Sequence, residues 1–198
     1  MPPRQRLSAA DWAAAALQAL SRTGVDAVAV EPLATRLGAT KGSFYWHFKD
    51  RESLVRAALD LWEQEQTEAV IGGLSQLSGP QERLRALVDL VLTHGGDDED
   101  PVVTLSRDAR HPAVAAALER VTRRRIDYIT AQLTELGMPQ PEAARRAAVA
   151  YAAYVGWWQL RVLVPDVVPR GAAARQHAAV LLELLGDVLD AATAPPPV

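Results

Sequence analysis

No cysteine occurs in the 198 residues, so neither a disulfide framework nor a thiolate metal site is open to this chain, and nothing argues for an oxidising compartment. Long apolar runs are equally missing. No stretch approaches the roughly 18 to 20 residues of a membrane span, and the opening MPPRQRLSAAD lacks the apolar core of a signal peptide, so a cytoplasmic protein with no membrane partner is expected. Strand signals are almost absent. The one strand-like stretch, VDAVAV, is short and reads as a loop.

Signatures of catalysis and metal binding are missing too. There is no nucleophile-with-base motif and no carboxylate-pair motif, and neither His94 nor His111 has a second histidine four residues away. The acidic run DDED lacks the alternating spacing of a calcium loop. Arg123, Arg124 and Arg125 spread around a helix rather than sharing a face, which suits separate surface ion pairs. No cofactor, no metal and no enzymatic activity are expected.

What is present is helix. Half the residues are apolar and about a quarter charged, a globular balance in a chain long enough to bury a core. Ser8 with Asp11 opens AADWAAAALQALSR as a capping pair, and Gly24 closes it. Pro32 stands at the start of PLATRL, which Gly38 ends. Thr40 caps KGSFYWHF, and Asp50 caps a long run stopping at Gly72 and Gly73. Pro80, Pro101, Pro112 and Pro141 each mark the start of a further run. A last helix is expected from about Ala172 to Ala192, before a Pro-rich, disordered tail. The expectation is an all-α fold of about nine helices: residues 1–50 as a small basic domain, 51–193 as a larger helical domain, and 194–198 as tail.

The net charge of −3 conceals an asymmetry. Residues 1–49 hold Arg4, Arg6, Arg22, Arg36, Lys41 and Lys49 against Asp11, Asp26 and Glu31, a basic head on an acidic body. Within that head lies TRLGATKGSFYWHFKDRESL. At 100° per residue Phe44 and Phe48 share one face, aimed at Leu33, Leu37 and Trp12. Gly42, Ser43 and Trp46 lie opposite, Lys41 and Tyr45 on one flank and His47 on the other. A recognition helix needs this layout: an apolar seam inward, small and hydrogen-bonding groups for base edges, long donors for phosphates.

The spaced features Gly24, Gly38, Tyr45-x-His47-Phe48 and Asp50 to Leu54 resemble the N-terminal domain of TetR-family transcriptional repressors over roughly Leu7 to Ala58. The resemblance implies a three-helix helix-turn-helix head, a divergent helical effector and dimerisation domain, a homodimer on a palindromic double-stranded operator, and release by a small molecule. Carried onto this sequence, Lys41, Tyr45 and His47 contact phosphates, with Lys49 beside them. Thr40 offers its hydroxyl and the helix amides to a phosphate. Gly42, Ser43 and Trp46 face the bases, and Arg36 is a reader or clamp. Trp62, His94, Leu105, Tyr128, Tyr151, Tyr154 and Trp158 are candidates for the effector pocket. The dimer seam is expected on the last two helices, from the small stripe Ala148, Ala152 and Gly156 and the heptad-like Leu181, Leu184, Leu185 and Val188. Two other classes stay open, a helical interaction module with a DNA-inactive helix-turn-helix and a helical enzyme.

Overall fold

The computed structural model describes residues 7–93, 101–164, 166–168 and 180. Among them the secondary structure is entirely helical, in eight helices when the two joined by a π turn are counted as one. They are α1 (Ala9–Thr23), α2 (Val30–Arg36), α3 (Lys41–Tyr45), α4 (Arg51–Glu63) running through a π turn (Gln64–Glu68) into α5 (Ala69–Leu74), α6 (Pro80–Thr93), α7 (Pro101–Arg107), α8 (Pro112–Glu135) and α9 (Gln140–Leu163). VDAVAV is a 3-10 turn at Val25–Ala27 leading into α2. The expected last helix lies outside the described residues.

Three boundaries differ from expectation. α2 opens at Val30, two residues before Pro32, with Ala29 as its N-cap. The helix opened by Asp50 does not stop at Gly72 and Gly73 but reaches Leu74, because the buried Leu74 side chain repays the low helix propensity of two glycines. The helix opened by Thr40 is shorter than expected: α3 proper ends at Tyr45, and Phe44 O then accepts from both His47 N and Phe48 N, at 2.9 Å each. That tightened turn carries Phe48 inward before Asp50 caps α4.

Contacts gather the chain into two compact units that do not follow a linear boundary at residue 50. One comprises Met1–Thr67 with Pro101–Arg120, the other Glu68–Asp100 with Val121–Val198. In the first, α1 packs against α4 and α7. Ser8 and Asp11 form the capping box that starts α1, with Ser8 N donating to Asp11 Oδ2 at 2.7 Å and Asp11 N to Ser8 Oγ at 3.2 Å. The buried face of α1, including Trp12, Ala16 and Leu20, meets Leu54, Val55, Ala58 and Leu59 of α4 within one core. Every residue from Pro101 to Leu105 is also buried. In the second unit, Leu84 and Val88 of α6, Ile129 and Leu133 of α8, Met138, and Ala143, Ala147 and Ala150 of α9 form the core. Alanine on α9 leaves room for the larger residues opposite.

Candidate nucleic-acid interface

The turn from α2 to α3 is built by Gly38, whose φ of 62° an L side chain rarely adopts. Ala39 N donates to Ala34 O at 2.8 Å and Gly38 N to Thr35 O at 3.1 Å, closing the end of α2. Thr40 then caps α3, its Oγ1 accepting from Ser43 N at 3.2 Å. The turn therefore sets the direction of α3 through the backbone, and the side chains of α3 are left for other contacts.

The inward seam forms as read from the sequence. Phe44 is fully buried, with its ring edge-on to Trp12 at 5.4 Å and stacked with Phe48 at 5.7 Å. Tyr45 packs an edge against Phe44 at 5.1 Å yet remains 61% exposed, and Trp46 is 84% exposed. Trp46 does not fold back over α4. Lys41, Gly42, His47 and Lys49 are exposed, and Ser43 half-buried. A Cβ on Gly42 would meet nothing nearer than Thr40 Oγ1 at 3.7 Å, so a larger residue could stand there without displacing the fold.

Three of the candidate donors carry intramolecular partners. Arg36 Nη2 donates to Ala15 O at 2.9 Å and to Gln18 Oε1 at 2.8 Å, tying α2 to α1. His47 Nε2 lies 2.9 Å from Leu7 O. Lys41 Nζ hydrogen-bonds Glu31 Oε1. That hydrogen bond, reinforced by charge, holds the Glu31 carboxyl below its ordinary 4.5 and lifts Lys41 above 10.5.

Sequence reasoning missed several residues that hold the site. Arg51 donates from Nε to Val28 O at 2.6 Å and from Nη2 to Val25 O at 2.5 Å, fastening the α1–α2 connection to the start of α4. Asp108, 83 positions away in sequence, accepts from Val25 N at 2.6 Å. Gly24, at φ 95°, sits so close to Asp108 that an added Cβ would collide with Oδ2. His111 Nε2 lies 3.4 Å from Glu52 Oε2. Arg51 adjoins a capping box and was open to notice. Asp108 and His111 gave no local signal, since their partners come from tertiary contact.

The remaining candidates divide between the two units. Trp62 and Leu105 are fully buried in the first, where they belong to its core; Tyr128, Tyr151, Tyr154 and Trp158 are buried in the second. Tyr151 and Tyr154 are 5.8 Å apart, Tyr151 Oη is 3.3 Å from Thr122 Oγ1, and the Arg161 guanidinium lies 4.3 Å over the Trp158 ring. His94 lies outside the described residues. On α9, Ala148 and Ala152 are exposed and Gly156 half-buried, on the face opposite Ala143, Ala147, Tyr154 and Trp158. Leu181, Leu184, Leu185 and Val188 lie outside the described residues.

A helix-turn-helix head that turns aromatic and cationic side chains outward, on a chain with a second helical unit, defines a class, the DNA-binding transcriptional regulator. The comparisons give the family of the head. Residues 13–58 match the model of bacterial regulatory proteins of the tetR family. The chain is similar to the HTH-type transcriptional regulator AcrR of Shigella flexneri, 23% identical over 188 residues that cover 85% of each chain. Its fold is that of a transcriptional regulator from Rhodococcus sp. Rha1 (TM-score 0.75, 22% identity, 96% of this chain and 100% of that one). The transcriptional regulator FadR from Bacillus subtilis, in complex with stearoyl-CoA, shares it too (TM-score 0.65, 14% identity, 90% and 97% covered). Residues 13–58 are thus a head of the tetR family of bacterial regulatory proteins, and the chain shares the fold of solved transcriptional regulators along nearly all its length.

Proposed function

We propose that this protein is a repressor that binds a palindromic operator as a homodimer and leaves it when a small-molecule effector binds the second unit. The observation that carries the reading is α3 itself. Phe44 and Phe48 anchor it, while Lys41, Tyr45, Trp46 and His47 face outward. Folding alone gives no reason to expose a tryptophan at 84% beside a tyrosine at 61%. A duplex does: Lys41, Tyr45, His47 and Lys49 engage phosphates, Thr40 adds its hydroxyl, and Ser43 and Trp46 reach base edges and thymine methyls across Gly42. Arg36 serves as the clamp that holds α2 on α1.

The homodimer is proposed on the outer face of α9, where Ala148, Ala152 and Gly156 allow close approach and Val149, Leu160 and Leu163 are exposed apolar side chains. Two heads about 34 to 36 Å apart fit successive major grooves. For the effector, the buried hydroxyl of Tyr128 has no hydrogen-bond partner, and burial raises its pKa above 10.0, so it stays a donor. An effector with an acceptor group for Tyr128 and an apolar body for Tyr151, Tyr154 and Trp158 suits these residues. That a regulator of this fold is solved with stearoyl-CoA supports a small organic effector. The effector must favour one head arrangement over another, since equal affinity for both shifts nothing.

Selection of duplexes from a genomic library by the purified protein, at about 150 mM salt to suppress charge-driven binding, tests the reading. Enrichment of one inverted repeat, lost in the folded variants Lys41→Ala and Tyr45→Ala, is the expected outcome. A folded, dimeric protein that enriches nothing would overturn it.

A further inference from the structure

The donors on the α2–α3 surface differ in what holds them. Arg36 is held by a carbonyl and an amide, and His47 by a carbonyl, all neutral groups. Lys41 is held by a carboxylate. Glu31, the second residue of α2, has a side chain 72% exposed, beside a Lys41 side chain 57% exposed. The pair is thus on the surface, and either member can be reached by a third group. A phosphate approaching Lys41 meets a negative charge already in contact with the ammonium.

From this juxtaposition we propose that Glu31 competes with the DNA backbone for Lys41 and so limits operator affinity and its salt dependence. The proposal rests on the reading of α3 as the DNA-contacting helix. Before binding, Lys41 is neutralised within the protein, so the surface presents one positive charge fewer to the counterion atmosphere of the duplex. On binding, Lys41 either leaves Glu31, which then stays as an unpaired anion near phosphates, or stays with it and contributes little. Both routes weaken binding without any change of fold. The plain alternative is that Glu31 is there for the helix: an acid in the first turn of α2 favours the helix dipole. A dipole role predicts that removing the charge lowers stability slightly and does nothing to strengthen DNA binding. Competition predicts a gain.

The test is a double-mutant cycle on the full-length protein with Glu31→Gln, Lys41→Gln and both, titrated against a fluorescent random-sequence duplex and against the inverted repeat. Glutamine keeps the length and hydrogen-bonding capacity of Glu31, and thermal melts confirm that each variant folds. Glu31→Gln is expected to bind both duplexes roughly three- to fivefold more tightly, with the slope of log K against log salt steeper by up to about 0.9, and the gain should vanish when Lys41 is glutamine. An unchanged affinity for Glu31→Gln, while Lys41→Gln weakens binding, overturns the competition and leaves the reading of α3 standing. An equal gain with or without Lys41 shows that Glu31 repels DNA directly, and a gain confined to the inverted repeat shows that position 31 reads a base; either outcome overturns the proposal. If Lys41→Gln costs nothing in the Glu31→Gln background either, Lys41 touches no phosphate, and the reading of α3 and this proposal fall together.

Discussion

At Gly24 two demands meet in one residue. Its φ of 95° is costly for any other side chain, and Asp108 occupies the place where a Cβ would go while accepting from Val25 N. Gly24→Ala is therefore expected to destabilise the head by about 2 to 4 kcal/mol, beyond the backbone cost alone. Gly24→Ala with Asp108→Ala should recover part of that loss by relieving the collision. Chemical denaturation of these two variants and of Asp108→Ala alone measures both effects, and a double variant worse than the sum of the singles would contradict the steric account. The same position shows the limit of reading residues in sequence order. Gly24 is legible as a helix terminator because the signal is local, whereas Asp108 is not, because its partner lies 83 positions away.

The caps of α1 and α4 link the elements of the head to pH. Ser8 bonds to Asp11, through its backbone N–H above all, and Ser53 bonds likewise to Asp50; both carboxyls are lowered below 3.8. Since the folded values lie below the unfolded ones, each contributes stability that is fully present above about pH 4 and lost as pH falls through the folded value. Glu142, held below 4.5 by hydrogen bonds from Arg146 and Arg145, acts in the same direction. Melting temperature is thus expected to vary little from pH 7 to 5 through these groups and to fall below pH 4. Asp50→Asn keeps a good cap but removes its proton linkage, so circular-dichroism melts should show a shallower acid decline for that variant. An identical decline would mean that Asp50 does not titrate with folding.

For the molecule as a whole, α9 divides its two faces sharply. Alanines and aromatics are buried on one side; Val149 at 55% and Leu163 at 63% exposure stand on the other, with Leu160. A monomer gains nothing from that apolar surface. Leu160→Glu should leave the fold intact, shift the protein to monomer in light scattering, and weaken binding to the inverted repeat far more than to a single half-site. A variant that stays dimeric would place the proposed seam elsewhere.

The sequence alone determined the helical class, the starts of the helices other than α2 and the layout of α3, because caps, turn glycines and a 3.6-residue period act over a few residues. Phe44 and Phe48 turned inward and Trp46 outward for that reason. Tertiary structure decided what local rules cannot reach: that α7 joins the core of the first unit, that Arg36 and Arg51 hold helix to helix, that Leu74 extends a helix through two glycines, and that Glu31 meets Lys41. Those contacts depend on which surfaces the folded chain brings together, and the free energy that selects them comes from burial and charge across elements.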